Sequence, residues 1–213
     1  MEILIKDACK TIKKNQILNH VDMHLTSGKI YGFQGPNGSG KTMLMRLICG
    51  LMKPTSGSVC IDGKQLGKDI DFPPSMGLLL EGPAFLEGYT GMKNLQLLAS
   101  LQGKISDEDI CQALRAVGLR PDDRRTYKKY SLGMKQRLGL AAAVMEKPEL
   151  LLLDEPTNAL DDQGIAQICD LIRQERQRGA LVILACHDAA ILEMLADEIY
   201  TIYEGNVEKK VRQ

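Results

Sequence analysis

Residues 35 to 42 read GPNGSGKT, and no other stretch of the chain restricts its fold so tightly. The string satisfies G-x-x-x-x-G-K-[ST], a phosphate-binding loop that works only between a strand and the start of a helix. Its glycines let the backbone turn its N–H groups inward, forming a nest for polyphosphate oxygens. Lys41 then reaches the β- and γ-phosphates, Thr42 offers a hydroxyl to Mg²⁺, and a helix starting near Lys41 points the positive end of its dipole at the same anion. The flanks agree, since residues 30 to 33 (IYGF) read as a strand and 43 to 51 as a helix. A Gly-rich turn that binds nothing is the bland alternative, and this context disfavours it.

A chain of 213 residues, 44% of them hydrophobic, can bury a sizeable core, and its length suits one domain with an inserted subdomain. Lys+Arg and Asp+Glu balance at 27 each, so no basic footprint points to nucleic acid and none is expected as a partner. The six cysteines show no C-x-x-C pair and no histidine at zinc-ligand spacing. They read as reduced small hydrophobes in a cytosolic protein rather than as a disulfide or metal framework. The opening MEILIKDACK is not a charged-then-apolar leader, and no stretch approaches the roughly 18 apolar residues of a spanning helix.

Ile3 and Ile5, then Val21, Met23 and Leu25, alternate with polar residues and predict two half-buried strands. Ser27-Gly28 turns into the P-loop strand, residues 53 to 57 break the chain, Val59 and Ile61 mark a short strand, and Asp62-Gly63 a hairpin turn. Leu95, Leu98 and Leu101 recur at helical spacing, as do Ile110, Leu114 and Val117 after an acidic start at residues 106 to 109. Residues 85 to 145 therefore read as helical. Their basic run, Arg120, Arg124, Arg125, Lys128 and Lys129, reads as a solvated face in preference to a docking surface. The apolar run 150 to 153 predicts a strand buried on both faces, as parallel sheets require. Ile165, Ile168, Leu171 and Ile172 mark an amphipathic helix, 180 to 185 another buried strand, and 199 to 203 with Val207 a closing hairpin around Gly205-Asn206. Strands alternating with helices at both ends predict an α/β core interrupted by a helical insertion. The expected partition is a β subdomain with the P-loop core at 1–84, a helical subdomain at 85–145, and the rest of the core at 146–213.

A phosphate nest needs a metal site. Asp154, at the carboxyl end of an apolar strand, is placed to hold Mg²⁺ beside the P-loop threonine. The adjacent Glu155 suits a base that orients the water attacking a γ-phosphate.

Residues 130 to 137 (YSLGMKQR), 150 to 158 (LLLLDEPTN), 159 to 161 (ALD) and His187 follow the P-loop in turn. The series resembles the signature, Walker B, D-loop and switch histidine of the ATP-binding cassette (ABC) ATPases, and spans nearly the whole chain. The resemblance implies a P-loop NTPase with a RecA-like core, an antiparallel β subdomain and an inserted helical subdomain. It implies that Gly35, Asn37, Gly38, Ser39, Gly40 and Lys41 bind the phosphates of ATP, that Thr42 and Asp154 hold Mg²⁺, and that Glu155 is the general base. His187 would contact the γ-phosphate, Ser131 and Gly133 would complete a second subunit's site, and Asp161 would lie at the dimer interface.

Four positions depart from the common pattern. Leu132 and Met134 replace a glycine and the glutamine of L-S-G-G-Q. Ile12 stands where the family usually sets an aromatic residue against adenine. Base–aromatic stacking is worth about 1–3 kcal/mol, so its absence would weaken nucleotide binding roughly tenfold or more. Glu81 stands where most members carry a glutamine linking metal, water and transporter, and is assigned here to metal and catalysis, with a plain loop carboxylate as the alternative. Glu81 within LEGPAF, together with SLGMKQ, resembles the branch that exports bacitracin- and lantibiotic-type peptides. That resemblance implies an ATP-hydrolysing subunit, two copies closing on two ATP beneath a separate membrane-spanning transporter protein, at the inner face of the cell membrane. Phe85, Leu86 and Tyr89 are either its docking anchors or local core. The alternatives are a soluble, non-transport ABC ATPase, disfavoured by the lack of tandem cassettes, and a regulatory module that binds ATP without hydrolysing it, disfavoured by Glu155.

Overall fold

Two sheets and the helices around them build the molecule, a computed structural model that describes residues 1–210. The N-terminal part holds β1 (Glu2–Ile12), β2 (Asn15–Thr26), β3 (Ile30–Gln34), α1 (Lys41–Ile48), β4 (Ser56–Ile61), β5 (Lys64–Gln65) and β6 (Met76–Leu79). Helices α2 (Gly91–Gln102), α3 (Asp107–Ala116) and α4 (Leu132–Val144) follow. The chain then returns through β7 (Leu150–Asp154), α5 (Asp162–Gln177), β8 (Leu181–Ala185), α6 (Ala189–Leu195), β9 (Glu198–Tyr203) and β10 (Asn206–Lys209).

One sheet is antiparallel, in the order β2-β1-β4-β5, and the other runs β10-β9-β3-β8-β7-β6 with every pair parallel except β10 against β9. The two behave as their residues require. Strands β7 and β8 are buried along their full length because the sheet is covered on both sides. Leu150, Leu152, Leu181 and Ile183 pack into one core with α1 and the antiparallel sheet, while Leu151, Leu153, Val182 and Leu184 pack into the other with α5, α6 and the helical segment. In β1 burial alternates at Ile3 and Ile5, and in β2 at Val21, Met23 and Leu25, with Ile3 opposite Leu25 and Ile5 opposite Met23; beyond Ile5, where the register shifts, adjacent Ala8 and Cys9 are both buried. The strand bearing the P-loop, β3, lies between β8 and β9, so its carboxyl end opens beside those of β7 and β8, where ligands of such sheets collect.

The helical segment is held by its caps. Thr90, Ser106 and Ser131 each accept a backbone N–H at the start of α2, α3 and α4, and Ser106 with Asp109 forms a full capping box. Buried Ile110, Leu114 and Val117 anchor α3, but on α2 the expected stripe fails: Leu95 is buried, whereas Leu98 is 38% and Leu101 81% exposed. Steps of three residues drift around a helix, so Leu101 is turned about 120° from Leu95. The buried strip is instead Gly91, Leu95 and Ala99, at spacings of four. Arg120 and Arg125 of the basic run pair with the exposed Asp122 and the neighbouring Asp123, as a solvated face would.

Three further differences have local causes. Helix α1 stops at Ile48, before Leu51, because Gly50 takes a left-handed φ of 82°. The closing hairpin turns at Glu204-Gly205, both with positive φ, and Asn206 already pairs with Tyr203. Strand β6 and helix α6 carry too few residues to show a period. No helix among the described residues is long and apolar enough to cross a membrane.

Candidate functional site

The P-loop leaves β3 at Gln34 and enters α1 at Lys41, with Gly40 as N-cap at φ 113°. Gly35 has no room for a side chain, since a Cβ there would lie 2.2 Å from the carbonyl oxygen of Ile202. The loop therefore lies directly on the backbone of β9. Lys41 is buried, and its Nζ donates to the carbonyls of Gly35 (2.7 Å) and Pro36 (2.9 Å), bridging the loop. The hydroxyl of Ser39 is buried with no partner, an orphaned polar atom beneath a loop of the kind that phosphate oxygens satisfy.

Behind the loop, Thr42 Oγ1 donates to Asp154 Oδ2 at 2.5 Å. Burial pushes the Asp154 carboxyl above its usual range, the Thr42 hydrogen bond works against that rise, and neighbouring Glu155 adds to it. A buried carboxylate in that state is relieved by a cation. A hydroxyl and a carboxylate oxygen side by side are hard ligands that suit Mg²⁺, which binds through one or two carboxylates and completes its shell with phosphates and water.

Glu155 follows Asp154 in a left-handed conformation, φ 50°, which is strained for a residue with a side chain. Its N–H donates to Ala185 across the end of β8, and its own carbonyl accepts from Gln136 Nε2 at 2.9 Å, tying it to α4. Its Oε2 lies 2.7 Å from His187 Nδ1. The carboxylate is 20% and the imidazole 66% exposed, so the carboxylate is largely covered while the imidazole projects outward.

A cavity of about 560 Å³ joins these parts, lined among others by Asn37, Gly38, Gly40, Lys41, Thr42, Glu81, Gln136, Asp154, Glu155 and Asn158. Gly35 and Ser39 lie in the loop, outside the lining. Glu81 reaches the cavity from a left-handed turn, φ 61°, after β6, and its carboxylate accepts from Arg46 Nη2 at 2.6 Å. It is 63% exposed, and its partner in this structure is a cation of α1. Ser131 and Gly133 are outside the lining: Ser131 caps α4 through Met134 N, and a Cβ on Gly133 would lie 2.7 Å from the Ala159 carbonyl. Leu132 between them is 72% exposed. Asp161 caps α5 through Gly164 N and lies 3.5 Å from Arg137 Nη2.

Ile12, expected beside the base, lies outside this cavity. It ends β1 at a hairpin tip, before Lys13 at φ 59°, and contributes nothing to the cavity lining. Strand β2 runs back past the loop, and Ile17 lines the cavity instead, its carbonyl 3.2 Å from where a Cβ of Gly40 would lie. Nothing in the residue type separates these two isoleucines. Arg46 and Gln136 were equally silent, because their partners Glu81 and Glu155 are distant in sequence.

With this geometry in hand, comparison with known proteins decides the family. Residues 18–158 match the family model described as ABC transporter. The chain belongs to the ABC transporter family. It is 43% identical over 206 residues to the uncharacterized ABC transporter ATP-binding protein YybJ of Bacillus subtilis (strain 168), covering 97% of this chain and 94% of that one. It is 39% identical to the bacitracin transport ATP-binding protein BcrA of Enterococcus faecalis (99% of this chain, 70% of BcrA). To the lantibiotic transport ATP-binding protein SrtF of Streptococcus pyogenes it is 37% identical (95% and 87%). A bacterial ABC transporter cassette solved as a dimer superposes with a TM-score of 0.88 at 25% identity, over 99% of both chains. The fold is thus the ABC cassette, a P-loop NTPase with an antiparallel β sheet and a helical segment, and the chain is an ATP-binding ATPase subunit of that family, similar to the bacitracin and lantibiotic branch.

Proposed function

We propose that two copies of this chain close on two ATP molecules and drive export of peptide antibiotics or related drugs through a separate membrane-spanning protein, at the cytoplasmic face of the cell membrane. The observation that carries the reading is one cavity in which the P-loop, the Thr42–Asp154 pair and the Glu155 carboxylate meet, with His187 bonded to that carboxylate.

The loop N–H groups of residues 35 to 40 and Lys41 hold the phosphates, with Ser39 gaining its missing partner there. Thr42 and Asp154 hold Mg²⁺, which when bound neutralises charge on the transferring phosphoryl group. Glu155 orients a water and takes its proton as the new P–O bond forms and the bond to ADP breaks, while His187 fixes the direction of its carboxylate. Glu81 adds a carboxylate at the rim, where exchange between Arg46 and metal or partner contacts would link the cavity to the transporter. Ser131 and Gly133 lie at a helix N-terminus beside exposed Leu132, a second anion-binding end that serves the partner copy's ATP. Asp161 lies close by, across Arg137. One chain supplies one P-loop and one signature helix, so two complete sites require two chains. Similarity to BcrA and SrtF supports the cargo class.

Purification from native membranes tests the assembly: the chain is expected with a hydrophobic multi-span protein, and a Glu155→Gln variant with ATP is expected as a dimer. Recovery wholly in the soluble fraction, with ribosomes or DNA as the sole partner, would overturn the transporter reading and leave the ATPase in place.

A further inference from the structure

On the antiparallel sheet, away from the nucleotide cavity, Asp7, Cys9 and His20 bring a carboxylate oxygen, a sulfur and an imidazole nitrogen within 4.8 Å of one another. The cluster is assembled by irregular pairing. The β1–β2 register shifts between Ile5 and Ala8 and again before Lys10, and Asp7 (φ 47°) and His20 (φ 43°) both take left-handed conformations. Asp7 Oδ1 lies 2.6 Å from His20 Nδ1, and Cys9 Sγ accepts the backbone N–H of His20 at 3.2 Å. Two further contacts hold the frame: Asp7 N donates to Asp22 Oδ1, and Gly57 of β4 packs so closely on Asp7 that a Cβ there would lie 2.1 Å from its carbonyl oxygen. The sulfur is nearly buried, while the imidazole and carboxylate are mostly exposed, so the set opens to solvent on one side.

We propose that Asp7, Cys9 and His20 form a binding site for a Zn²⁺-class transition-metal ion, with water as the fourth ligand. The donor chemistry selects the ion. Thiolate, imidazole and carboxylate are all zinc ligands, and a thiolate does not suit Mg²⁺ or Ca²⁺. On binding, the Cys9 thiol gives its proton to solvent and the sulfur donates to the metal, while His20 gives up its Nδ1 proton to solvent and takes one at Nε2, so that Nδ1 and the Asp7 carboxylate donate to the metal. The ion would staple β1 to β2 at the irregular step of their pairing, below the hairpin that carries Ile12 and Ile17.

The test uses the full chain stripped of metal, titrated with Zn²⁺ by calorimetry and with Co²⁺ by absorbance, where a thiolate ligand gives a charge-transfer band. One ion per chain is expected, with that band. Cys9→Ala should abolish the band. His20→Asn should weaken Zn²⁺ binding by more than about 100-fold, beyond the 10- to 100-fold cost of losing an outer-sphere partner. His20 is exposed and asparagine tolerates its left-handed φ, so that variant keeps its fold, checked by its retained ATP binding. Failure to bind one ion per chain, or binding unchanged in both variants, overturns the site. So does binding that Cys186→Ala abolishes and His20→Asn spares, because it would place the ion at Glu155, Cys186 and His187, the other such cluster among the described residues.

Discussion

Truncating Ile17 should weaken ATP binding, while truncating Ile12 should not. Ile17 lines the nucleotide cavity from β2 and is half-buried, whereas Ile12 is 38% exposed at the hairpin tip and lines none of it. Ile17→Ala removes three carbons, each worth about 0.8 kcal/mol when fully buried. With half of that area covered by the ligand, the loss is about 1.2 kcal/mol, or roughly an eightfold rise in Kd. Calorimetric titration with Mg-ATP in a Glu155→Gln background, where turnover does not distort the isotherm, reads this directly. The same titration on Ile12→Ala should give a Kd within about twofold of the parent. Ile12→Tyr should likewise leave it unchanged, against the roughly tenfold tightening that the family resemblance alone implies. Equal weakening by Ile12→Ala and Ile17→Ala, or a tighter Ile12→Tyr, would refute the reasoning that the nucleotide rests on Ile17 and not on Ile12.

Glu155→Gln keeps the shape of the side chain and a hydrogen-bonding partner for His187, so steady-state turnover should fall by about 10²–10⁴ while Mg-ATP still binds. Turnover near that of the parent would remove Glu155 from the base role. Asp154→Asn should raise the melting temperature of the nucleotide-free protein at neutral pH and abolish the extra stabilisation by Mg-ATP. Because the native Asp154 carboxyl titrates above its unfolded value, the folded state binds more protons between the two and loses stability as pH rises through that window. The advantage of the variant should therefore fade below about pH 4, and a nucleotide-free variant that melts earlier at pH 7 would contradict the burial argument. Gly133→Ala forces a Cβ to within 2.7 Å of the Ala159 carbonyl, displacing the start of α4 from the residues after β7. ATP-dependent dimerisation should weaken at least about tenfold, read by light scattering, and an undiminished dimer would argue that this contact does not shape the interface.

Legibility in this chain follows the range over which each feature acts. The P-loop, the Asp154-Glu155 pair and the unbroken apolar strands at 150–153 and 181–185 are local, and the backbone chemistry that each requires restricts its residues directly. The acidic start of α3 at residues 106 to 109 was visible for the same reason, and Ser106 with Asp109 closes a capping box there. Strand β6 and helix α6 were not visible. Four and seven residues show no period, and they form because β7 supplies hydrogen bonds to one and Asp188 caps the other. The exposure of Leu98 and Leu101 depends on which side of α2 meets α3 and α4, a choice that spacing by threes does not encode. The same holds for Ile17 over Ile12, for Arg46 on Glu81, for Gln136 on Glu155, and for Asp7, Cys9 and His20 across a shifted register. Taken by itself, the sequence determined the phosphate chemistry and the α/β class, because those rest on backbone geometry between near neighbours. Which side chains meet in the cavity and on the sheet was decided only by the tertiary structure, since a contact between residues distant along the chain depends on where whole strands and helices pack.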